Sequence, residues 1–234
     1  MKQVKTNNYT IVGTDTHVGK TVVALVLMKY LCKKGYHPLY LKPLQTGCLT
    51  TEETDSDARF VYSHLPELKN ESLADNVIHC FHPAKSPWFA ARDQNTDINS
   101  HDLIDEIHTR NDHSRPCVIE AAGGLMVPIN QKTLFIDLLP QIESQTILVA
   151  RAGLGTINHS LLSIEALLNR KIIPAGIVLS NATSVSDTMV KENIEAIKAF
   201  SDVYVLGVLE RIDTFDHIPD HYMAIFDKGD HYEE

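Results

Sequence analysis

No stretch of the sequence approaches the ~20 consecutive apolar residues needed to span a bilayer, so no membrane segment is expected. Basic residues are in deficit: 21 Lys and Arg stand against 30 Asp and Glu, a formal net charge of −9. A nucleic-acid-binding surface needs the opposite balance, so no nucleic-acid partner is expected. The four cysteines, Cys32, Cys48, Cys80 and Cys117, include no C-x-x-C pair. Cysteines scattered in this way read as reduced thiols in a cytoplasmic protein, not as a zinc site. The 12 histidines show no H-E-x-x-H spacing. The first eight residues hold no apolar core, so no signal peptide is expected. Internal repeats and low-complexity segments are missing, and tryptophan occurs once, at Trp88. Its proline-punctuated surroundings favour core packing.

What is present is ordinary globular material: 234 residues, 44% hydrophobic and 22% charged. That suits one large α/β domain over residues 1–234. The chain is organised around Gly13-Thr14-Asp15-Thr16-His17-Val18-Gly19-Lys20-Thr21. The preceding Tyr9-Thr10-Ile11-Val12 is β-branched and aromatic and reads as a strand. The nearly all-apolar run from Val22 to Leu31 reads as a buried helix. Strand, glycine-bounded loop, Gly-Lys-Thr and helix together describe a phosphate-binding loop. Glycines let several backbone N–H groups converge on one anion, and the helix N-terminus adds partial positive charge. Lys20 can reach terminal phosphates, and the Thr21 hydroxyl can ligate Mg²⁺. Five residues separate the first glycine from Gly-Lys, where the general pattern has four.

Further strands each end in a chemically pointed segment. His37 to Leu41 reads as a strand running into Lys42-Pro43-Leu44-Gln45-Thr46-Gly47. A lysine at a strand's carboxyl end lies where open α/β sheets bind ligands. A polar loop then leads to a helix near Asp57, with Asp55 and Asp57 as candidate caps or metal ligands. Residues 64–116 are hard to read beyond an amphipathic helix from Ile98 to Ile107. Pro116 to Glu120 is a buried strand ending in a carboxylate, followed by Ala121-Ala122-Gly123-Gly124. A carboxylate there can complete a Mg²⁺ site. Thr133 to Ile142 reads as a helix and Thr146 to Ala150 as a strand. Arg151 to His159 is a second glycine-containing loop, feeding a helix from Ser160 to Asn169. Thr156 or Asn158 is the expected cap, and the helix start is a candidate anion site. A strand near Ile177, a helix from Asp187 to Phe200 and a strand from Val203 to Val208 follow. The His- and Asp-rich tail from Thr214 suggests no function. The alternation gives a largely parallel sheet with helices on both faces.

Four segments in this order resemble dethiobiotin synthetases: Gly13 to Thr21, Lys42 to Gly47, Glu120 to Pro128, and Ala150 to His159. The five-residue spacing of the phosphate loop is that family's own. The resemblance implies ATP- and Mg²⁺-dependent carboxylation of 7,8-diaminononanoate by CO₂, through a carbamate and a carbamic–phosphoric anhydride, in a homodimer. Lys42 and Lys20 would be catalytic. His17, Val18, Gly19, Lys20, Thr21 and Val22 would surround the phosphates. Thr21, Asp57 and Glu120 would hold Mg²⁺, with Asp57 preferred to Asp55 because Ser56-Asp57-Ala58 matches the family. Ala121, Ala122 and Gly123 would border the nucleotide; Asn181, Leu209, Glu210 and Arg211 would lie near the adenine. Thr46 would contact the diamine or its carbamate. Leu154, Gly155, Thr156, Ile157 and Asn158 of the partner subunit would receive the substrate carboxylate. His17, Ala121, Ser180 and Glu210 depart from the usual residues, so recognition of the base is where this chain differs most.

Two other readings compete. A partitioning or division-site ATPase switch shares the fold, but such proteins carry an earlier lysine inside the phosphate loop, and Thr14 to Val18 has none. A nucleotide binder that has lost catalysis would not need Lys42, Thr46 and the Leu154 to Asn158 segment.

Overall fold

The computed structural model describes residues 7–111 and 113–231. The first six residues, part of the segment read for a signal peptide, lie outside the described residues, as do the last three of the acidic tail.

Among the described residues the strands are β1 (Tyr9–Gly13), β2 (Leu39–Thr46), β3 (Val77–Phe81), β4 (Cys117–Glu120), β5 (Gln145–Arg151), β6 (Gly176–Asn181) and β7 (Val205–Glu210). They form one sheet in the order β3-β2-β4-β1-β5-β6-β7, and every registered pair is parallel. Parallel strands are buried on both faces, which is why these segments read as continuous apolar runs. Alternation along each strand splits the core into two layers. Ile11, Ile147 and Val149 face one layer; Val12, Leu148 and Ala150 face the other.

The first layer is closed by α1 (Lys20–Lys33), α2 (Asp57–Ser63) and α7 (Asp220–Met223). Helix α1 buries Val23 through Met28 without interruption, as its unbroken apolar sequence demands. The second layer is closed by α3 (Pro87–Asp93), α4 (Ser100–Arg110), α5 (Thr156–Asn169) and α6 (Asp187–Phe200). No helix among the described residues is long and apolar enough to cross a membrane.

Several expectations are corrected. Strand β2 does not stop at Leu41 but continues through Pro43 to Thr46. Lys42 N–H donates to Asn76 O on the β3 side at 2.8 Å. Pro43 therefore turns its donor-less nitrogen toward β4, where registered pairing ends at Leu41↔Ile119, so no ladder bond is lost. Strand β3 sits in the stretch that resisted reading. The expected helix from Thr133 to Ile142 is two 3₁₀ turns, Phe135–Asp137 and Leu139–Gln141. Pro140 falls inside it, and 3₁₀ pieces are short by nature. Helix α5 starts four residues earlier than expected. Its cap is Gly155, with no side-chain capping bond, instead of Thr156 or Asn158. Trp88 is only half-buried and stacks on Phe89, with ring centroids 4.6 Å apart.

Candidate active site

The carboxyl ends of β1, β2 and β4 meet where the winding direction of the sheet reverses, the usual place for a ligand in such sheets. A cleft of about 670 Å³ opens there. One wall is the loop from β1 to α1. Gly19 caps α1 at φ 96, and a Cβ on it would lie 2.8 Å from Ser180 Oγ, so only glycine fits. The first α1 bond runs from Val23 N–H to Gly19 O at 3.0 Å. The N–H groups of Lys20, Thr21 and Val22 therefore have no partner within the helix, and those three residues line the cleft with His17 and Gly19. This is a cradle for an anion. Lys20 folds back over the loop and donates to Asp15 O at 3.0 Å. Val18 instead packs into the core. His17 is exposed on the rim at φ 56.

At the cleft floor, four side chains converge. Thr21 Oγ1 lies 3.0 Å from Asp57 Oδ1 and 2.9 Å from Glu120 Oε1. Lys42 Nζ lies 2.7 Å from both Asp57 Oδ2 and Glu120 Oε1, and it donates to Ala121 O at 3.3 Å. Register explains the meeting: Leu41 pairs with Ile119, so Lys42 and Glu120 emerge side by side. Ser56 caps α2 by accepting from Arg59 N–H at 3.4 Å, which leaves the Asp57 carboxylate to face Thr21. Asp57 N–H in turn donates to Gln45 Oε1 at 3.1 Å. Asp57 rather than Asp55 thus joins the cluster.

Burial lowers the Lys20 ammonium to about 8, with the neighbouring Lys42 charge adding to the effect. Burial acts on Lys42 in the same sense, but Asp57 and Glu120 more than offset it and hold the ammonium charged. Asp57 is opposed by burial yet kept below the usual carboxylate range by Lys42 and Thr21. Burial pushes Glu120 up, against the pull of Lys42.

One hydroxyl, that of Thr21, and two carboxylates, those of Asp57 and Glu120, make an all-oxygen donor set. Such a set fits a hard cation like Mg²⁺, which takes a few protein oxygens and completes its shell from phosphate and water. No group of three or more His, Cys, Asp or Glu residues with metal-binding geometry occurs among the described residues.

The opposite wall holds Gln45 and Thr46 from β2, the Ala84 to Pro87 segment, Ala122 and Gly123. Gly123 is at φ 69, and a Cβ on it would meet Val127 at 2.7 Å, so the backbone turns tightly here. Ala121 does not line the cleft. It is 1% exposed, and only its carbonyl reaches the site.

The residues expected near the base are on the same rim but outside this cleft. Asn181 is buried, and its side-chain amide is fully engaged. It donates to Val185 O at 3.2 Å and to Glu210 Oε2 at 2.7 Å, and accepts from Val185 N–H at 2.8 Å. Leu209 is buried; Glu210 and Arg211 are exposed, with Arg211 bonded to Asp213. The start of α5 also lies outside the cleft. Leu154 is 91% exposed there, Asn158 is exposed, Ile157 is half-buried and Thr156 is buried against Ser160.

Sequence reading missed Tyr40, whose hydroxyl donates to Glu120 Oε2 at 2.8 Å. Burial and the Glu120 charge push that hydroxyl well above its usual range, so it stays a donor. The signal was the strand period: Tyr40 is two residues before Lys42, on the same face. Also missed was Arg151, paired with Asp15 of the loop at 2.9 Å.

Known proteins similar to this chain are of two kinds, relatives in sequence and relatives in fold. A family model described as an AAA domain matches residues 7–218. The ATP-dependent dethiobiotin synthetase BioD of Paramagnetospirillum magneticum is 36% identical over 201 residues, 86% of this chain and 86% of that protein. The protein of the same name from Halalkalibacterium halodurans is 32% identical over 203 residues, 86% of this chain and 83% of that protein. The biotin biosynthesis bifunctional protein BioCD of Bordetella avium is 37% identical over 206 residues, and the match spans 88% of this chain but 40% of that longer protein. Among solved structures, a ParA family ATPase from Chlorobium tepidum is 12% identical with a TM-score of 0.54, covering 95% of this chain and 89% of that one. The MinD cell division protein of Aquifex aeolicus is also 12% identical with a TM-score of 0.54, covering 92% and 85%. These structures share the fold; the sequence relatives carry the family. The chain belongs to the ATP-dependent dethiobiotin synthetase family.

Proposed function

We propose that the protein carboxylates 7,8-diaminononanoate and closes its ureido ring at the expense of ATP, releasing ADP and phosphate. The observation that carries this reading is Lys42, a buried ammonium 2.7 Å from two carboxylates, beside a phosphate-loop cradle in the same cleft. A module that only binds nucleotide has no task for it.

One substrate amine adds to CO₂ and loses a proton, giving a carbamate. Lys42 presents positive charge where the carbamate and the transferring phosphoryl group meet. The loop N–H groups and Lys20 hold the phosphates in line for attack by the carbamate oxygen. ADP leaves, and a carbamic–phosphoric anhydride forms. The second amine then attacks the anhydride carbon, the ring closes, and phosphate departs. Thr46, on the far wall, orients the diamine. Thr21, Asp57 and Glu120 would hold Mg²⁺, which when bound would neutralise charge on the phosphate oxygens.

The start of α5 lies outside its own cleft, so its N–H groups are assigned to the substrate carboxylate of a second subunit in a homodimer. Base recognition is assigned to the rim of Leu209, Glu210 and Arg211, where the buried Asn181 amide holds the Glu210 carboxylate in place. Likeness to partitioning ATPases supports the fold only, and the loop lacks their extra lysine.

A phosphate-release assay tests the function, with ATP, Mg²⁺, bicarbonate and diamine each omitted in turn. Release that requires both diamine and bicarbonate, with a cyclic urea found by mass spectrometry, is expected. Hydrolysis indifferent to the diamine would sink the carboxylase reading and favour a switch.

A further inference from the structure

Strand β2 leaves the cleft through Gly47, which turns the chain at φ 90. Gly47 N–H is held by Phe81 O of β3 at 2.9 Å. Upstream, Gln45 is in register with Cys80. The turn therefore brings Cys48 back against β3. Cys48 Sγ lies 3.3 Å from Cys80 Sγ, and the Cys80 thiol reaches Cys48 O at 3.5 Å. Cys48 is buried, while Cys80 is half-exposed on β3, the edge strand of the sheet. Neither thiol belongs to the machinery described above.

We propose that Cys48 and Cys80 form a thiol–disulfide exchange site, oxidised by low-molecular-weight disulfides such as oxidised glutathione, and that closing it restrains the segment carrying Thr46. The sulfurs need to close from contact to a bond of about 2.05 Å, between backbones already held together by the β2–β3 ladder. Cys80 is assigned as the attacking thiol because it is the less buried of the two and lies on an edge strand. Burial and the bond to Cys80 push the Cys48 thiol up to about 12, so it does not compete for the first step.

The chemistry balances. Cys80 thiolate attacks one sulfur of the small disulfide; a mixed disulfide forms, and the other half leaves as a thiolate with the electrons of the broken bond. Cys48, deprotonated in turn, attacks Cys80 Sγ and expels the second thiolate. Two protein thiols are oxidised, one small disulfide is reduced to two thiols, and the cysteine protons pass to the leaving groups. The new bond ties the end of β2 to β3. Thr46 lies two residues away, and Gln45, which anchors Asp57 N–H, lies three away. Small displacements at such positions are expensive in rate, so turnover falls roughly tenfold on closure.

The effect on turnover rests on the carboxylase reading; formation of the bond does not. The full-length protein is incubated with oxidised glutathione, quenched by alkylation in acid and mapped by peptide mass spectrometry. The expected map shows a Cys48–Cys80 link, with Cys32 and Cys117 alkylated. Turnover drops roughly tenfold and returns with dithiothreitol. Cys80→Ser keeps basal turnover and loses the sensitivity. Cys48→Ala stops at a glutathione adduct on Cys80. A wild-type map with no Cys48–Cys80 link overturns the site, whatever the variants do. A link with unchanged turnover overturns the restraint on the cleft. A protein that binds ATP without processing the diamine overturns the carboxylase reading, while the map still decides the site.

Discussion

Lys20 and Lys42 occupy one cleft under opposite fields, and their roles separate by pH and by mutation. Among the described residues no carboxylate touches the Lys20 ammonium, and burial lowers it to about 8. As pH rises through that value the free enzyme loses the charge that attracts triphosphate. We predict that kcat/KM for ATP falls as pH rises through about 8, because that ratio reports the free enzyme. Bound phosphate restores the charge, so kcat falls at higher pH than kcat/KM does. Coincident profiles would contradict this. The stability sign is the reverse of the usual lysine case. The folded value lies below the unfolded 10.5, so between about 8 and 10.5 the unfolded chain binds more protons. The contribution of Lys20 to stability therefore rises with pH across that window. Lys42 keeps its charge because Asp57 and Glu120 flank it. We predict that Lys42→Ala abolishes turnover, with ATP affinity changed only modestly in calorimetry. The same variant leaves two carboxylates without their cation and loses about 3 kcal/mol of stability in denaturant titration. Near-normal turnover in it would remove Lys42 from the mechanism. Lys20 was legible from sequence because Gly-Lys-Thr before a helix is a local signal; Lys42 was singled out from an apolar run read as ending at Leu41, although β2 continues through it to Thr46. Tyr40 was passed over: the strand period puts it on the face of Lys42, but an apolar strand tyrosine reads as core until the Glu120 carboxylate beside it is seen.

Elements show the same division between local and distant causes. Helix α1, helix α6 and strands β1 and β4 followed from apolar runs and from caps lying within a few residues. The continuation of β2 through Pro43 depends on where β4 stops pairing, which no local pattern records. The segment from Thr133 to Ile142 has helical apolar spacing, but Pro140 and two short hydrogen-bonded turns take its place. The junction of β1 with α1 gives a sharp test. Gly19 holds φ 96, and the space for a Cβ is filled by Ser180 Oγ on β6. We predict that Gly19→Ala weakens ATP binding at least about tenfold, since positive φ is strained for alanine by roughly 1–3 kcal/mol and the loop N–H groups must tilt to relieve it. Adding Ser180→Gly removes the clash but not the φ strain, so the double variant recovers part of the affinity. Full recovery would show that the contact alone matters; no recovery would leave the backbone strain as the whole cause. Ser180 and Gly19 are far apart in sequence, which is why reading the glycine as a flexible loop residue caught only half of its constraint.

At the scale of the whole molecule, the unresolved piece of chemistry is what meets the far end of the substrate. The cleft of one chain contains the phosphate loop, Lys42 and Thr46, but the start of α5 lies outside it. That face instead presents Leu154, Leu162 and Met126, 91%, 57% and 54% exposed. A second groove of about 460 Å³ runs beside them, lined in part by Leu162, Ala166 and Met126. Exposed leucines beside an apolar groove suit a self-complementary contact, and a two-fold contact would set each α5 start against the partner's cleft. Complementation tests this directly. Asn158→Asp puts a negative charge at the first turn of α5, where it repels a substrate carboxylate and raises the KM for the diamine. Asn158 is exposed, so the fold is unaffected. Lys42→Ala is inactive for a different reason. If the carboxylate is held in trans, a mixed dimer has one site with intact Lys42 from one chain and intact Asn158 from the other. After unfolding and co-refolding, half of the dimers are mixed and half of their sites intact, so about a quarter of wild-type turnover returns at low diamine. If the α5 start serves its own chain, every site carries one defect and mixing restores nothing. A monomer in sedimentation velocity at assay concentration would also refute the shared site, since no partner would be there to complete it.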